Sequence, residues 1–537
     1  MSQQIDRFLT ALPRGHRHVY LAWRLSGPDA DDEPFYVQRR RLQGDWQPLH
    51  DAAPVLFSTD FVDTVPDDGV YEYRVVARQR PSYAARVDTA QPPTNLAFEF
   101  PLTHAPPPGL YPYRFAIGDL QNNGRSGVVV LESHAKRVQV CAYTLDGTRL
   151  WQRDTGLPDS GGWDKRMNHV PVTIWDVNGD GRSEVIYHSG PGHAFANDFY
   201  AEAGPDEMLT AVDGETGDVV WECPWPGTRP RVMFTVGYLR GMEQAPSVVV
   251  QDGTYGDLVL TAIDGATGRV QWQVTQARGG GHNLDIDDVD GDGRMEVIAG
   301  GICYGGDGSI LWQAEPLAIQ TFPSRPNFCP TFPVYRCSIW WKKENPGVYL
   351  VNAQGETLWK VPFGHAHWSW IGHYDLDGSG APDARFMIHA AKKGANEYFP
   401  IFYPDGRQWL ELTRHQAHRY AAVGWEADGA TCFAHRKDFC IYRLDAQGQE
   451  IRLPGSELPT GSLFGRWQIC ADLIGDFREN FGCIDYEKGT FFVAQNPNPA
   501  GRRARSPQAD FGYRHERAQL GSGYYTYIAP ALCRVDP

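Results

Sequence analysis

The chain has 537 residues, with 57 Gly, 39 Pro, 25 Tyr and 17 Trp, and a formal net charge of −15. That length exceeds one simple core, and the composition favours strands and turns over long amphipathic helices. The charge argues against nucleic acid and anionic membrane surfaces as partners, yet leaves room for an acidic glycan held by local Arg and His clusters.

The first residues, MSQQIDRFLTALPRGH, lack the basic-then-apolar pattern of a signal peptide. No apolar run reaches membrane-spanning length. The ten Cys show no CxxC pairs and no readable disulfide framework. A cytoplasmic monomer with free thiols is the expectation, or an extracellular or periplasmic protein if a signal has been removed.

Residues 1–100 carry alternating segments, VYLAWRL (Val19–Leu25), FYVQRRR (Phe35–Arg41) and YEYRVVARQ (Tyr71–Gln79). This rhythm is similar to that of a fibronectin type III β-sandwich. The Pro-rich stretch Ala90–Tyr113 predicts a linker, placed at 101–113. From 114 to 537 the chain repeats. Each unit has a strand, a Gly-containing turn and a strand ending in Trp, as in AYTLDGTRLW (Trp151), LTAVDGETGDVVW (Trp221) and LTAIDGATGRVQW (Trp272). Further units end at Trp312, Trp359 and Trp409, and CIYRLDAQGQEIRL and FFVAQNP continue the series without the Trp. The Asp-Gly turns set hairpins, and the terminal Trp is expected to pack between neighbouring units. The fold predicted is all-β: an eight-bladed β-propeller, with seven blades as the alternative, behind an N-terminal sandwich. Gly523–Val535 is expected to supply the strand that closes the ring.

Three segments punctuate the repeat: DVNGDGRSEV (Asp176–Val185), DVDGDGRMEV (Asp288–Val297) and DLDGSGAPDA (Asp375–Ala384). Oxygen ligands at positions 1, 3 and 5, Gly at 6 and an acid at 9 suit Ca²⁺. The predicted ligands are Asp176, Asn178, Asp180, the Arg182 carbonyl and Glu184 in the first loop. In the second they are Asp288, Asp290, Asp292, the Arg294 carbonyl and Glu296. The third offers Asp375, Asp377, Ser379 and Asp383. A related turn at Ile117–Gly127 has Asp119, Gln121 and Asn123 but Gly127 in the place of the acid, so little or no calcium is expected there. The calcium is read as structural.

Three stretches, Ala245–Gln273, Gly279–Gly308 (with GGGHNLDIDDVDGDG) and Gly364–Gly380 (GHAHWSWIGHYDLDGSG), resemble the rhamnogalacturonan lyases of polysaccharide lyase family 11. ADLIGDFRENF (Ala471–Phe481) and the preceding sandwich also fit. The resemblance implies a lyase that cleaves rhamnosyl-(1→4)-uronate linkages by β-elimination, acting on an acidic rhamnose-containing polysaccharide or oligosaccharide. Ulvan lyases and rhamnose–glucuronate lyases are similar propellers, and their paired histidines resemble His169 and His188, which flank the first calcium loop. An α-L-rhamnosidase and a non-catalytic glycan-binding or adhesion propeller are the further alternatives.

A uronate lyase must neutralise the carboxylate, remove the C5 proton and protonate the O4 leaving group. The candidates are His169 and His188 as base and partner, Tyr238 or Tyr255 for proton transfer, and Arg229 or Arg231 as the carboxylate fork. Calcium in the first loop is expected to fix the distance between the two histidines. His282, His365 and His367 are candidate substrate-binding residues. With His373, Cys303, Cys329 and Cys337 they are also a possible zinc set.

Overall fold

The computed structural model describes residues 4, 6–27, 29–49, 53–106, 113–159, 170–190, 206–227, 233–253, 256–277, 280, 284–314, 318–319, 331–335, 348–361, 365–374, 383–391, 397–403, 405–412, 420–435, 438–462 and 468–519. The protein is all-β, with a short 3-10 turn at Pro507–Ala509 and the helix Phe511–Ala518, α1, among the described residues. No described helix is long and apolar enough to cross a membrane.

Residues 10–88 form two small antiparallel sheets. One pairs Thr10–Gly15, His18–Ala22 and Asp60–Thr64. The other is built on Tyr36–Arg41 and Val70–Ala77. Strict alternation along Val70–Ala77 sends Tyr71, Tyr73, Val75 and Ala77 inward, where they meet Val19, Leu21, Trp23 and Phe35. A period of two with one wet face is what a strand on a shared core requires.

Among the described residues, eight four-stranded antiparallel sheets then follow in chain order. Sheet 1 holds Arg114–Gly118, Gly127–His134, Arg137–Thr144 and Arg149–Pro158. Sheet 2 holds Val172–Trp175, Glu184–Ser189, Met208–Asp213 and Val219–Pro224. Sheet 3 begins with Met233–Gly237 and Ser247–Asp252, and sheet 4 with Leu284–Asp287 and Glu296–Ala299. Sheets 5, 6 and 7 begin at Ala318, His365 and Tyr420. Neighbouring sheets share buried cores, as where Val129 and Leu131 of sheet 1 meet Val172 and Val185 of sheet 2.

The repeated Trp does what its position predicts. Trp151 Nε1 donates to Gly214 O of the next sheet at 2.8 Å, Trp221 to Gly265 O at 2.6 Å, and Trp272 to Gly306 O at 2.9 Å. Each ring lies flat against the turn of the following hairpin. A Cβ at Gly217 would come within 2.7 Å of the Trp151 ring, and φ is +75° there, so glycine is required twice over.

The chain ends depart from the sequence reading in two places. Leu96–Pro101, which the sequence places in the sandwich and the linker, is the outer strand of sheet 8, paired with Thr490–Ala494. Phe100 takes the place of the missing Trp: a Cβ at Gly147 of sheet 1 would lie 2.5 Å from it. Sheet 8 and sheet 1 thus share one core, with Phe491 and Val493 against Val128 and Val130. Gly523–Val535, expected to close the ring, lies outside the described residues. The helix α1 is the second change. Asp510 caps it by accepting from Tyr513 N, and it packs against the first strands of sheets 1 and 2.

Candidate functional site

The acidic segments fold as the spacing predicts. In the second loop Asp288 accepts from Gly291 N at 2.8 Å and Gly293 N at 3.0 Å, and Glu296 reaches back to Val289 N at 2.8 Å. The first loop repeats this: Asp176 accepts from Gly179 N and Gly181 N at 2.7 and 2.9 Å, and Glu184 from Val177 N at 3.0 Å. Ligand oxygens of Asp288, Asp290 and Glu296 lie within 4.8 Å of one another. Burial, then the neighbouring loop carboxylates, push both Glu296 and Glu184 up to about 7. Such crowding of hard oxygens fits a divalent cation of the Ca²⁺ type. The first loop differs in one respect: Asn178 Nδ2 sits between Asp180, at 3.2 Å, and Glu184, at 2.9 Å.

Two more loops share this backbone. Asp119 accepts from Asn123 N and Gly124 N at 3.1 and 2.6 Å. Gly127 stands where the acid would be, and a Cβ there would meet Leu120 and the Tyr143 carbonyl at 2.8 Å. In sheet 8, Asp472 accepts from Gly475 N at 2.7 Å and Phe477 N at 3.1 Å, with neutral Asn480 accepting from Leu473 N. Arg478 Nη2 lies 2.9 Å from Asp476 there, so the loop carries its own cation. The match to the calcium pattern is hidden in the sequence by Ile474 and Asn480.

At the loop end of the sheets lies a cleft of about 720 Å³. Its walls include Arg24, Arg125, Asp176, Tyr238, Phe511 and Arg514. Trp175 Nε1 is 3.2 Å from Tyr238 Oη, and the Phe511 ring stands 5.6 Å from Tyr238 and 5.8 Å from Trp175. Burial pushes the Tyr238 phenol above its ordinary pKa, so it stays protonated. Arg24 donates to Gly124 O at 2.7 Å and Arg514 to Gln508 O at 2.7 Å, which fixes both guanidinium groups at the rim. Asp6 pairs with Arg125, through Nη2 at 2.6 Å. Helix α1 holds Phe511 in place through His515, whose Nε2 donates to Val236 O at 2.5 Å. Burial pushes His515 down to about 4, so it is neutral.

His188 is elsewhere. Glu184 pairs with Trp175 at the loop end of its strand, and His188 lies four residues on, about 13 Å away at strand rise. The calcium loop therefore joins the end of the hairpin opposite to His188, while His169, the other member of the expected pair, lies outside the described residues. His188 is 4% exposed, with Nε2 2.6 Å from Glu207 Oε2 and its ring stacked at 3.8 Å on Trp225. The structure thus puts Tyr238 and His188 at opposite ends of adjoining sheets and does not bring them together.

Of the other sequence candidates, His169, Arg229, Arg231, Tyr255 and His282 lie outside the described residues, as do Asp375, Asp377, Ser379, Cys329 and Cys337. His365, His367 and His373 lie on His365–Tyr374, and Asp383 begins Asp383–Ala391; their side chains are outside the described ones. Cys303 is a buried free thiol of sheet 4. Sequence reasoning missed Arg24, Trp175, Phe511, Arg514, Glu207 and Trp225. Nothing local marks them: the cleft draws residues from both ends of the chain, and Glu207 and Trp225 meet His188 away from it.

The sequence profile of the rhamnogalacturonan lyase family 11 C-terminal domain matches residues 118–321, a stretch that contains both well-formed acidic loops and Tyr238. The chain is a rhamnogalacturonan lyase family 11-like protein. Two curated lyases of Bacillus subtilis (strain 168) are similar to it. The rhamnogalacturonan exolyase YesX is 26% identical over 353 residues, 55% of this chain and 55% of that protein. The endolyase YesW is 26% identical over 349 residues, 55% and 54%. The matched stretch thus spans about half the length of either relative. The fold likeness is wider. The crystal structure of the exotype lyase YesX superposes with a TM-score of 0.69 at 22% identity, covering 98% of this chain and 97% of that one. The Bacillus licheniformis rhamnogalacturonan lyase PL11 gives 0.69 at 20% identity, covering 98% and 95%. This family-like protein therefore carries the same fold over nearly its whole length.

Proposed function

We propose that the chain is a polysaccharide lyase that cleaves rhamnosyl-(1→4)-uronate linkages of the rhamnogalacturonan class by β-elimination, leaving an unsaturated uronate. The match of residues 118–321 to the family 11 domain carries this reading. Neither curated relative is named an ulvan lyase or a rhamnosidase, which favours rhamnogalacturonan over the alternatives.

The scaffold is taken as an eight-bladed propeller behind a fibronectin type III-like sandwich. The eight successive sheets, and the core shared by the last and the first, support it. Asp288, Asp290, Asp292 and Glu296, and by analogy Asp176, Asn178, Asp180 and Glu184, would hold Ca²⁺. Its chemistry there would be to neutralise buried carboxylates and stiffen the loop.

The cleft at the loop end is the proposed substrate site. Arg24 and Arg514 offer guanidinium groups for the uronate carboxylate, which makes the C5 proton more acidic. Tyr238, kept protonated by burial, is suited to give its proton to the O4 leaving group, and the C5 proton goes to a base that is not among the described cleft residues. Trp175, Tyr238 and Phe511 present an apolar wall against which a sugar face can pack. The His188–Glu207 pair is an oriented imidazole at the opposite end.

The test is ultraviolet absorbance of the unsaturated uronate on rhamnogalacturonan, with rhamnose release measured alongside. A gain in absorbance with wild type, lost in Tyr238→Phe, is expected. No gain on this polymer overturns the substrate. Loss in His188→Ala with full activity in Tyr238→Phe would move the chemistry to the other end of the sheets.

A further inference from the structure

The core that joins sheet 8 to sheet 1 contains a polar cluster of unlike donors. Glu132 and Cys141 lie on neighbouring strands of sheet 1, both fully buried. His104 arrives from the other side, three residues beyond the closing strand Leu96–Pro101, and is half-buried. One ligand atom from each of the three lies within 4.8 Å of the other two. We propose that His104, Glu132 and Cys141 form a binding site for a thiophilic divalent cation, of which Zn²⁺ is the type, at the seam between the last and first sheets.

The chemistry of the set favours such an ion over calcium. Imidazole nitrogen, thiolate sulfur and carboxylate oxygen are the donors Zn²⁺ takes, and three protein ligands leave a fourth position for water. Glu132 is already oriented: Tyr143 Oη donates to Oε1 at 2.5 Å and His104 N to Oε2 at 2.7 Å. The Cys141 thiol also bonds to Glu132. Metal binding would release that thiol proton to solvent. Thiolate and carboxylate would then balance the ion's two charges.

Gln152 Nε2 donates to His104 Nε2 at 3.0 Å, a contact in which the amide must turn its carbonyl or give way when the imidazole takes up an ion. The ring of exposed His134 stacks on His104 at 4.2 Å, so the open side of the cluster faces solvent and gives the ion an entry path. The site is distinct from the acidic loops and from Cys303, and it does not depend on the lyase reading. An ion here would staple the segment after the closing strand to the first sheet.

The test uses the full chain, stripped with chelator, returned to calcium and titrated with Co²⁺ and then Zn²⁺. One thiolate-to-cobalt charge-transfer band, displaced by Zn²⁺, is expected, together with a rise in melting temperature on adding Zn²⁺. Cys141→Ser should lose both. His104→Ala removes a half-exposed side chain, should stay folded and should bind more weakly. A wild-type protein with no such band overturns the proposal. So does a band unchanged in Cys141→Ser, or Co²⁺ affinity unchanged in His104→Ala.

Discussion

At the scale of single residues, Tyr238 carries the clearest expectation. Its hydroxyl meets Trp175 Nε1 in the cleft, and its ring packs on Phe511, so Tyr238→Phe keeps the packing and removes one proton. Turnover should fall about 10²-fold or more, the usual contribution of a positioned acid, with the melting temperature nearly unchanged. An unaltered rate would remove Tyr238 from the chemistry. Tyr238 was a sequence candidate as a tyrosine downstream of the paired histidines, and the structure places it in the cleft. Its neighbours were not. Arg24 and Arg514 lie 490 positions apart, and no local pattern can pair them. His188 shows the opposite case. A His beside a repeat motif reads as reactive, yet Glu207 and Trp225 enclose it, and only the register of Glu184–Ser189 with Met208–Asp213 reveals the first of these.

Among elements, helix α1 was invisible to a search for long apolar periodicity, being eight residues with two arginines and a glutamate. Its burial rests on tertiary partners: Tyr513 and Arg517 both reach Glu479, at 2.9 and 2.6 Å. It also gives the protein a pH limit. His515, buried between Trp175, Phe511 and the Val236 carbonyl, is pushed down to about 4 from the ordinary value near 6.5. The unfolded chain takes a proton that the folded helix refuses. The contribution is therefore complete above about pH 6.5 and is lost progressively as pH falls towards 4. The acid side of a melting-temperature profile should steepen over that window in wild type and flatten in His515→Gln. Parallel profiles would show that other groups set the acid limit.

The loops separate two ways of neutralising a carboxylate turn. The loop at Asp288 gathers carboxylates with no ion-pair partner among the described residues, and its stability should fall on chelation and return with Ca²⁺. Asp288→Ala should lower the melting temperature and reduce that response. The loop at Asp472 has Arg478 beside Asp476, and Arg478 also reaches Tyr20 of the N-terminal sheets. Removing one partner of a buried pair leaves an uncompensated charge, so Arg478→Ala should cost about 3–5 kcal/mol, with or without chelator. Denaturant melts of both variants, run with Ca²⁺ and with EDTA, distinguish the two behaviours. A chelator response unchanged in Asp288→Ala would place the calcium elsewhere.

For the whole molecule, what the sequence could not reveal is how the array of sheets ends. Seven hairpins announce themselves through their turns and terminal Trp or aliphatic residues, because both strands are adjacent in the chain. The eighth sheet takes its outer strand from residues 96–101, and the pairing of Lys488 with Glu99 spans 389 positions. The Pro-rich flank disguised that strand as a linker. Its anchor is Phe100, 4% exposed, its ring tilted against Tyr143 at 5.2 Å and against Phe491 at 5.6 Å. It does for the seam what Trp151 and Trp221 do between other sheets, but without their hydrogen bond to the following turn. The seam therefore depends on packing alone at this point. Phe100→Ala should cost about 3–5 kcal/mol, the usual loss for a buried Phe. Because the strand belongs to the last sheet, the loss should appear as lower stability of the entire repeat array, not of the N-terminal sheets alone. Hydrogen exchange gives the decisive readout. Amides of Thr490–Ala494 and of Gly127–His134 should lose protection together in Phe100→Ala, while those of Val70–Ala77 keep theirs. Selective loss at Val70–Ala77 would instead assign Leu96–Pro101 to the N-terminal unit.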